Sequence, residues 1–285
     1  SHSCGHFPDF MDDLVFPYGT LGNTPGTYQP MYSGGVTSGG TVLGELEVSK
    51  NLLEGDFGVT IRSFRAGHLA FHDMLTNGLE ETGYDFNSTF SANNILTNLP
   101  YFGHYNRSFS GGKSSVLEIP MTISDVFSSD PINESNYSSK VNTWLDATSR
   151  YKLNYAPINL LIHPNRLYKL QAMTDYINGV DPEMQFMLME DYGDYWLERD
   201  SIEFETTINS DTLTVDFTTD ISLIQSLAID DQLMDSVEFY NKSGILLTYS
   251  RKQLANGPGL YYNFVPINVG IEEIELNISI YPNPA

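Results

Sequence analysis

The chain has 285 residues, 41% hydrophobic and 18% charged, which is enough apolar material for one large domain or a medium domain plus a small one. Fourteen Lys and Arg against 36 Asp and Glu give a formal charge of −22, which argues against a nucleic-acid partner because phosphate binding wants a basic face. The single cysteine, Cys4, excludes an intrachain disulfide, and the lack of a run of about 18 apolar residues leaves no transmembrane helix.

The first residue is Ser1 and no signal peptide is visible, so the chain reads as an interior fragment. Residues 7–44 are crowded with Gly and Pro and read as loop. Residues 45–56 read as a helix with Leu46, Ser49, Leu52 and Leu53 on one face. A strand over 59–64 delivers Arg65 to its end, a helix over 70–82 stops at Gly83, and a strand over 84–90 follows. Residues 91–114 read as a long surface connection, and 116–123 (VLEIPMTI) as a strand. A Ser- and Asn-rich stretch at 128–139 leads to a helix over 142–153. The apolar run PINLLI at 157–162 fits a strand buried on both faces. Residues 166–178 read as an amphipathic helix burying Leu167, Leu170, Met173 and Ile177, and 184–200 as a further helix. Beyond Asp200 the texture becomes alternating and turn-punctuated, which predicts a small antiparallel β-sandwich over 201–272 with a hairpin turn at 241–244.

Three local patterns carry chemistry. His2 and His6 are four apart, close enough on one helical turn for two imidazoles to bind one metal ion. Arg65 stands at a strand end, the mouth of an α/β fold. His163 follows the apolar strand directly, where an imidazole could give a proton to a leaving group. Each pattern alone is weak; their order is informative. His68 and His72 are also four apart and read as a second metal pair, a helix face or a wall of a substrate cleft.

The set His2/Ser3/His6, then Arg65, then Leu161/His163 resembles the NodB-homology polysaccharide deacetylases, carbohydrate esterases of family four, over roughly residues 1–200. Residues 69–88, a helix followed by Gly-Tyr-x-x-x-Ser, also resemble the segment after that family's Arg motif. The resemblance implies a distorted (β/α) barrel that lacks its first strand or strands, because the family's Asp-Asp motif would precede His2. Glycine and His68 stand where the family usually has Pro, and its Asp-x-x-Asp-Trp motif is not recognisable, Asp125 being the nearest and a poor candidate. The segment at 273–285, with Tyr-Pro-Asn-Pro at 281–284, resembles the start of a type IX secretion sorting domain, which implies a secreted or cell-surface protein handled by that machinery.

The resemblance implies metal-dependent hydrolysis of N- or O-acetyl groups on an extracellular polysaccharide. His2 and His6 would hold a divalent metal, zinc in the first place, with an upstream Asp; the metal would polarise the acetyl carbonyl and acidify water. Arg65 would hold the base carboxylate in place, His163 would protonate the leaving group, and His68 and Leu161 would contact substrate. This chain alone is expected to be inactive and to fold poorly by itself. A degenerate surface glycan-binding protein and a metal-dependent amidase acting on a non-sugar amide are the alternatives. No Gly-x-Ser-x-Gly elbow and no complete phosphate loop occur.

Overall fold

Turn-forming glycines do not keep residues 26–40 free of regular structure. Met31–Ser33 (β1) and Val36–Ser38 (β2) pair as a short antiparallel hairpin. Thr41 then starts Val42–Phe57 (α1), its hydroxyl accepting from the Gly44 N–H at 3.0 Å, and Gly58 closes the helix in the left-handed region. That cap starts the helix ahead of its predicted apolar stripe, so Val42, Leu43, Leu46, Val48 and Ser49 are buried while Leu52 is exposed. The structure is a computed structural model that describes residues 1–2, 26–34, 36–91, 99–126, 130–154, 156–220, 225–229, 236–253 and 260–264. It forms two units, Ser1–Trp196 and Leu197–Ala285.

Ser63–Phe64 (β3) is shorter than the predicted strand, because the Ile61 N–H is taken by the Glu54 side chain on α1. The next helix, Leu75–Glu81 (α2), starts late: His68 and Leu69 adopt φ of +52° and +54°, which ends a short 3₁₀ turn ahead of it. Phe86–Asn87 (β4) follows. Tyr101–His104 (β5) lies inside the stretch expected to be surface connection and pairs antiparallel with Lys113–Glu118 (β6). Pro120 offers no N–H to a ladder, and the predicted strand over 116–123 is split there into β6 and Ile123–Ser124 (β7). Tyr137–Leu153 (α3), Leu160–Leu161 (β8), Leu167–Gly179 (α4) and Met189–Ser201 (α5) complete the first unit, α5 running across its boundary.

The pairing has a simple order. His2 bridges Arg65, β3 pairs β4, β4 pairs β6, Ser91 bridges Met121, and β7 pairs β8, all parallel and in chain order. No sheet closes on itself among the described residues. Helices α1 and α2 cover one face through Val42, Leu46, Leu75 and Leu79 packed on Phe64, Tyr84 and Val116. Helices α3 and α4 cover β7 and β8 through Val141, Trp144, Ala172 and Tyr176 packed around Ile123 and Ile132. The mixed α/β class is therefore as expected.

Two packing expectations fail here. The α4 face that is buried is Lys169, Ala172 and Tyr176, whereas Leu167 is 87% exposed and Leu170 and Ile177 are also exposed. The PINLLI segment is half-buried, with Ile158, Leu160 and Ile162 packed on α3 and α4 and the alternate residues on the other face.

In the second unit, Phe204–Asn209 (β9), Thr212–Phe217 (β10), Gln225–Ile229 (β11), Ser236–Tyr240 (β12), Tyr249–Gln253 (β13) and Leu260–Phe264 (β14) form two three-stranded sheets, ordered β12-β10-β9 and β11-β14-β13. Val215, Phe217, Val237 and Phe239 of one sheet share a core with Tyr262 of the other and with Leu247. One pairing departs from the antiparallel expectation, as β10 and β12 run parallel. The predicted turn at 241–244 forms around Asn241, whose Oδ1 accepts the N–H groups of Ser243 and Ile245, with Gly244 at φ +72°.

Candidate active site

The site residues stand at the C-terminal ends of the parallel strands. Strand register fixes their faces. Phe64, Asn87 and Glu118 are cross-strand partners on the side covered by α1 and α2. Residues one step on, Arg65 and Ser88, therefore point to the opposite side, and His2, bridged to Arg65, points with them. Along 158–162, which includes β8, the residues that alternate with the helix-packed Ile158, Leu160 and Ile162 are Asn159 and Leu161.

Ser88 ties these strands together. Its hydroxyl oxygen accepts from Arg65 Nη2 at 2.7 Å and from Asn159 Nδ2 at 2.8 Å, while its carbonyl accepts from Arg65 Nε at 3.1 Å. Ser88 is fully buried, so these three bonds are sheltered from water. Burial pushes the Arg65 guanidinium down from its ordinary value. Among the described residues Arg65 has no carboxylate partner. A half-buried guanidinium held only by neutral oxygens among the described residues keeps its charge without an ion-pair partner there, and such a group is able to pair with a carboxylate.

His163 belongs to a second cluster. Its Nδ1 lies 2.8 Å from Asp125 Oδ1, and its backbone N–H donates to Asp125 Oδ2 at 3.0 Å. Lys169, buried on α4, donates its ammonium to the same Oδ2 at 2.7 Å. Burial works to raise the Asp125 carboxyl, but the Lys169 ammonium and the two His163 N–H groups outweigh it and hold Asp125 below the usual carboxylate range. A carboxylate that stays ionised only accepts, so His163 Nδ1 carries the hydrogen and Nε2 is left to exchange a proton with a reactant. The side chain is 47% exposed, so that nitrogen can be reached. A histidine oriented in this way by a carboxylate is able to act as an acid or base.

Of the sequence-derived residues, His2 and Arg65 meet at the edge of the first sheet, whereas Leu161 lies on β8 of the separate β7–β8 pair and His163 stands just past its end. His6 and Cys4 lie outside the described residues, as does the segment at 273–285. His68 is exposed in a left-handed conformation and His72 Nδ1 accepts the Met74 N–H at 3.0 Å, so the two do not share a helical face. Asp125 lies against His163; Ser88 ends the Gly-Tyr-x-x-x-Ser pattern of the resemblance, but its bonds to Arg65 and Asn159, and Asn159 and Lys169 themselves, were not legible. Their partners are 23 to 71 residues away in the chain, and only the register of the strands brings them together. Among the described residues no group of three His, Cys, Asp or Glu side chains could hold a metal.

No protein-family model and no curated protein sequence matches the chain.

Proposed function

We propose that this chain is the larger part of a NodB-type, metal-dependent polysaccharide deacetylase. The observation that carries the reading is the pair of clusters at successive parallel strand ends: Arg65 held by Ser88 and Asn159, and His163 held by Asp125 and Lys169. Parallel neighbours in chain order, with helices covering one side, support a (β/α) barrel arrangement.

In this reading Arg65 keeps an upstream carboxylate charged and oriented as base. His163 delivers the proton on Nε2 to the departing amine or hydroxyl, while Asp125 fixes the ring and its tautomer. His2, on the sheet side of Arg65, and His6 would hold the divalent metal, and their imidazole donors suit zinc. When bound, the metal would polarise the acyl carbonyl and acidify water. Leu161 on β8, two residues after Asn159, would meet the sugar or its acetyl methyl. Export through a type IX route goes with the proposal and rests on the terminal segment alone.

The test is acetate release by the full-length protein from acetylated chitin, xylan and peptidoglycan fragments, with and without chelator. Chelator-sensitive release is expected. Asp125→Asn should cut kcat by about 10²- to 10⁴-fold, as expected when a histidine loses its orienting carboxylate, and should also lower the melting point, because it leaves the buried Lys169 ammonium unpaired. No metal-dependent release from any substrate would leave a glycan-binding role.

A further inference from the structure

We propose that the Arg107 guanidinium, laid on Phe71 and accompanied by Phe90 and Tyr101, is a subsite for a carboxylate-bearing sugar unit. The inference deepens the polysaccharide reading above and rests on it for the class of ligand.

Several cations of this acidic chain are already committed to carboxylates. Arg62, Lys140, Lys152, Lys169 and Lys242 are ion-paired. Arg107 is exposed and has no carboxylate at ion-pair distance among the described residues. Its guanidinium carbon sits 4.8 Å from the centre of the Phe71 ring, and Nη1 donates to the Phe71 carbonyl at 3.2 Å. That leaves a fixed, flat fork with N–H groups still to give, the geometry a carboxylate fits.

The surroundings are aromatic. Phe71 meets Phe90 edge-on at 6.5 Å, and Phe90 meets Tyr101 edge-on at 6.4 Å. Tyr101 is 42% exposed. Phe90 lies two residues beyond Ser88, about 7 Å along an extended chain, so the aromatic group adjoins the strand-end site. A ring face for stacking beside a guanidinium for a carboxylate matches a charged sugar better than a simple anion.

The backbone around this group is strained. Four of the five non-glycine residues with positive φ among the described residues are His68 and Leu69, just before Phe71, and Asn106 and Arg107. The Asn106 N–H is held by Asn77 Oδ1 at 2.9 Å. Stacking an exposed cation on a phenyl ring gains less than two left-handed residues cost, so the contact alone does not account for the conformation. Strain of this kind gathers at ligand-holding segments. The charge of −22 opposes polyanions at long range, but at physiological salt it is screened beyond about 8 Å, so a short oligosaccharide senses the local cation.

The experiment measures binding, by calorimetry at physiological salt, of trigalacturonate, xylotriose and a penta-glutamate peptide to the full-length protein. Wild type should bind trigalacturonate about fivefold more tightly than xylotriose, the scale of one good charge-assisted hydrogen bond at a wet surface. Arg107→Gln should abolish that preference, and Arg107→Lys, which keeps the charge but loses the fork, should retain part of it; the lysine variant decides if the glutamine variant fails to fold. The proposal is overturned by no preference in wild type, by a preference that survives Arg107→Gln, or by equal affinity for the peptide. Binding needs no turnover. A retained preference without any acetate release would sink the deacetylase reading alone.

Discussion

Glu118 is a carboxyl closed off from water between β6 and α2. Asn87 Nδ2 donates to it at 2.8 Å, Asn87 Oδ1 receives the Thr89 hydroxyl, and Thr89 Oγ1 receives the Ala66 N–H at 3.0 Å. This chain of bonds ends one residue past Arg65. Burial pushes Glu118 up to about 8, against the opposing pull of Asn87, Thr76 and Arg107. Between its ordinary value near 4.5 and about 8, the unfolded chain has released the proton that the folded chain keeps. Stability should therefore fall as pH rises through that window and level off above it. Glu118→Gln should melt like wild type near pH 4 and be more stable at pH 8, by an amount of the order of a few kcal/mol. Urea melts at several pH values check this; a variant no more stable at pH 8 contradicts it. Glu118 was not legible as special, and Asp125 was legible only as a poor match to a motif, not as the partner of His163 and Lys169. Within VLEIP a glutamate looks like an ordinary polar step, and the pairing of Asp125 with Lys169 spans 44 residues. Arg65 and His163 were legible because each directly follows an apolar strand.

Gly193 shows what holds α5 to the start of the parallel strands. A Cβ there would lie 2.3 Å from the Phe86 ring, with backbone on one side and a fully buried ring on the other. The neighbouring Asp194 receives a two-pronged bond from Arg62, at 2.8 and 2.7 Å, and Arg62 also pairs with Asp85. Gly193→Ala should cost about 1–3 kcal/mol through overpacking, measured as a lowered denaturation midpoint. Helices and most strands could be read from apolar spacing, but the sides they bury could not always be. On α4 the leucines face outward because Lys169 is drawn inward by the ionised Asp125, turning the helix off its apolar stripe. The start of α2 was hidden because nothing in the letters of His68 and Leu69 announces a left-handed backbone.

The two units each have their own core. In the second, Val215, Phe217, Val237, Phe239, Leu247 and Tyr262 pack among themselves, and Phe239 and Tyr262 meet at 5.4 Å. Separate cores predict separate cooperative transitions, so calorimetry should resolve two peaks, and Gly193→Ala should move only one. A single peak shifting as a whole would show that the units melt together. The change of texture near residue 200 was visible because alternation and helical spacing differ in period, whereas the parallel β10–β12 pairing was not, since a strand's letters do not give its neighbour's direction.

Lys169 carries one more consequence. An ammonium sealed against Asp125 is hidden from amine-reactive reagents, while lysines on the exposed surface, such as Lys242, are within their reach. Its modification should lag theirs and advance only as fast as the helix lifts away, so peptide mapping over time would clock the opening of the histidine cluster; prompt labelling of Lys169 would mean that the seal is loose.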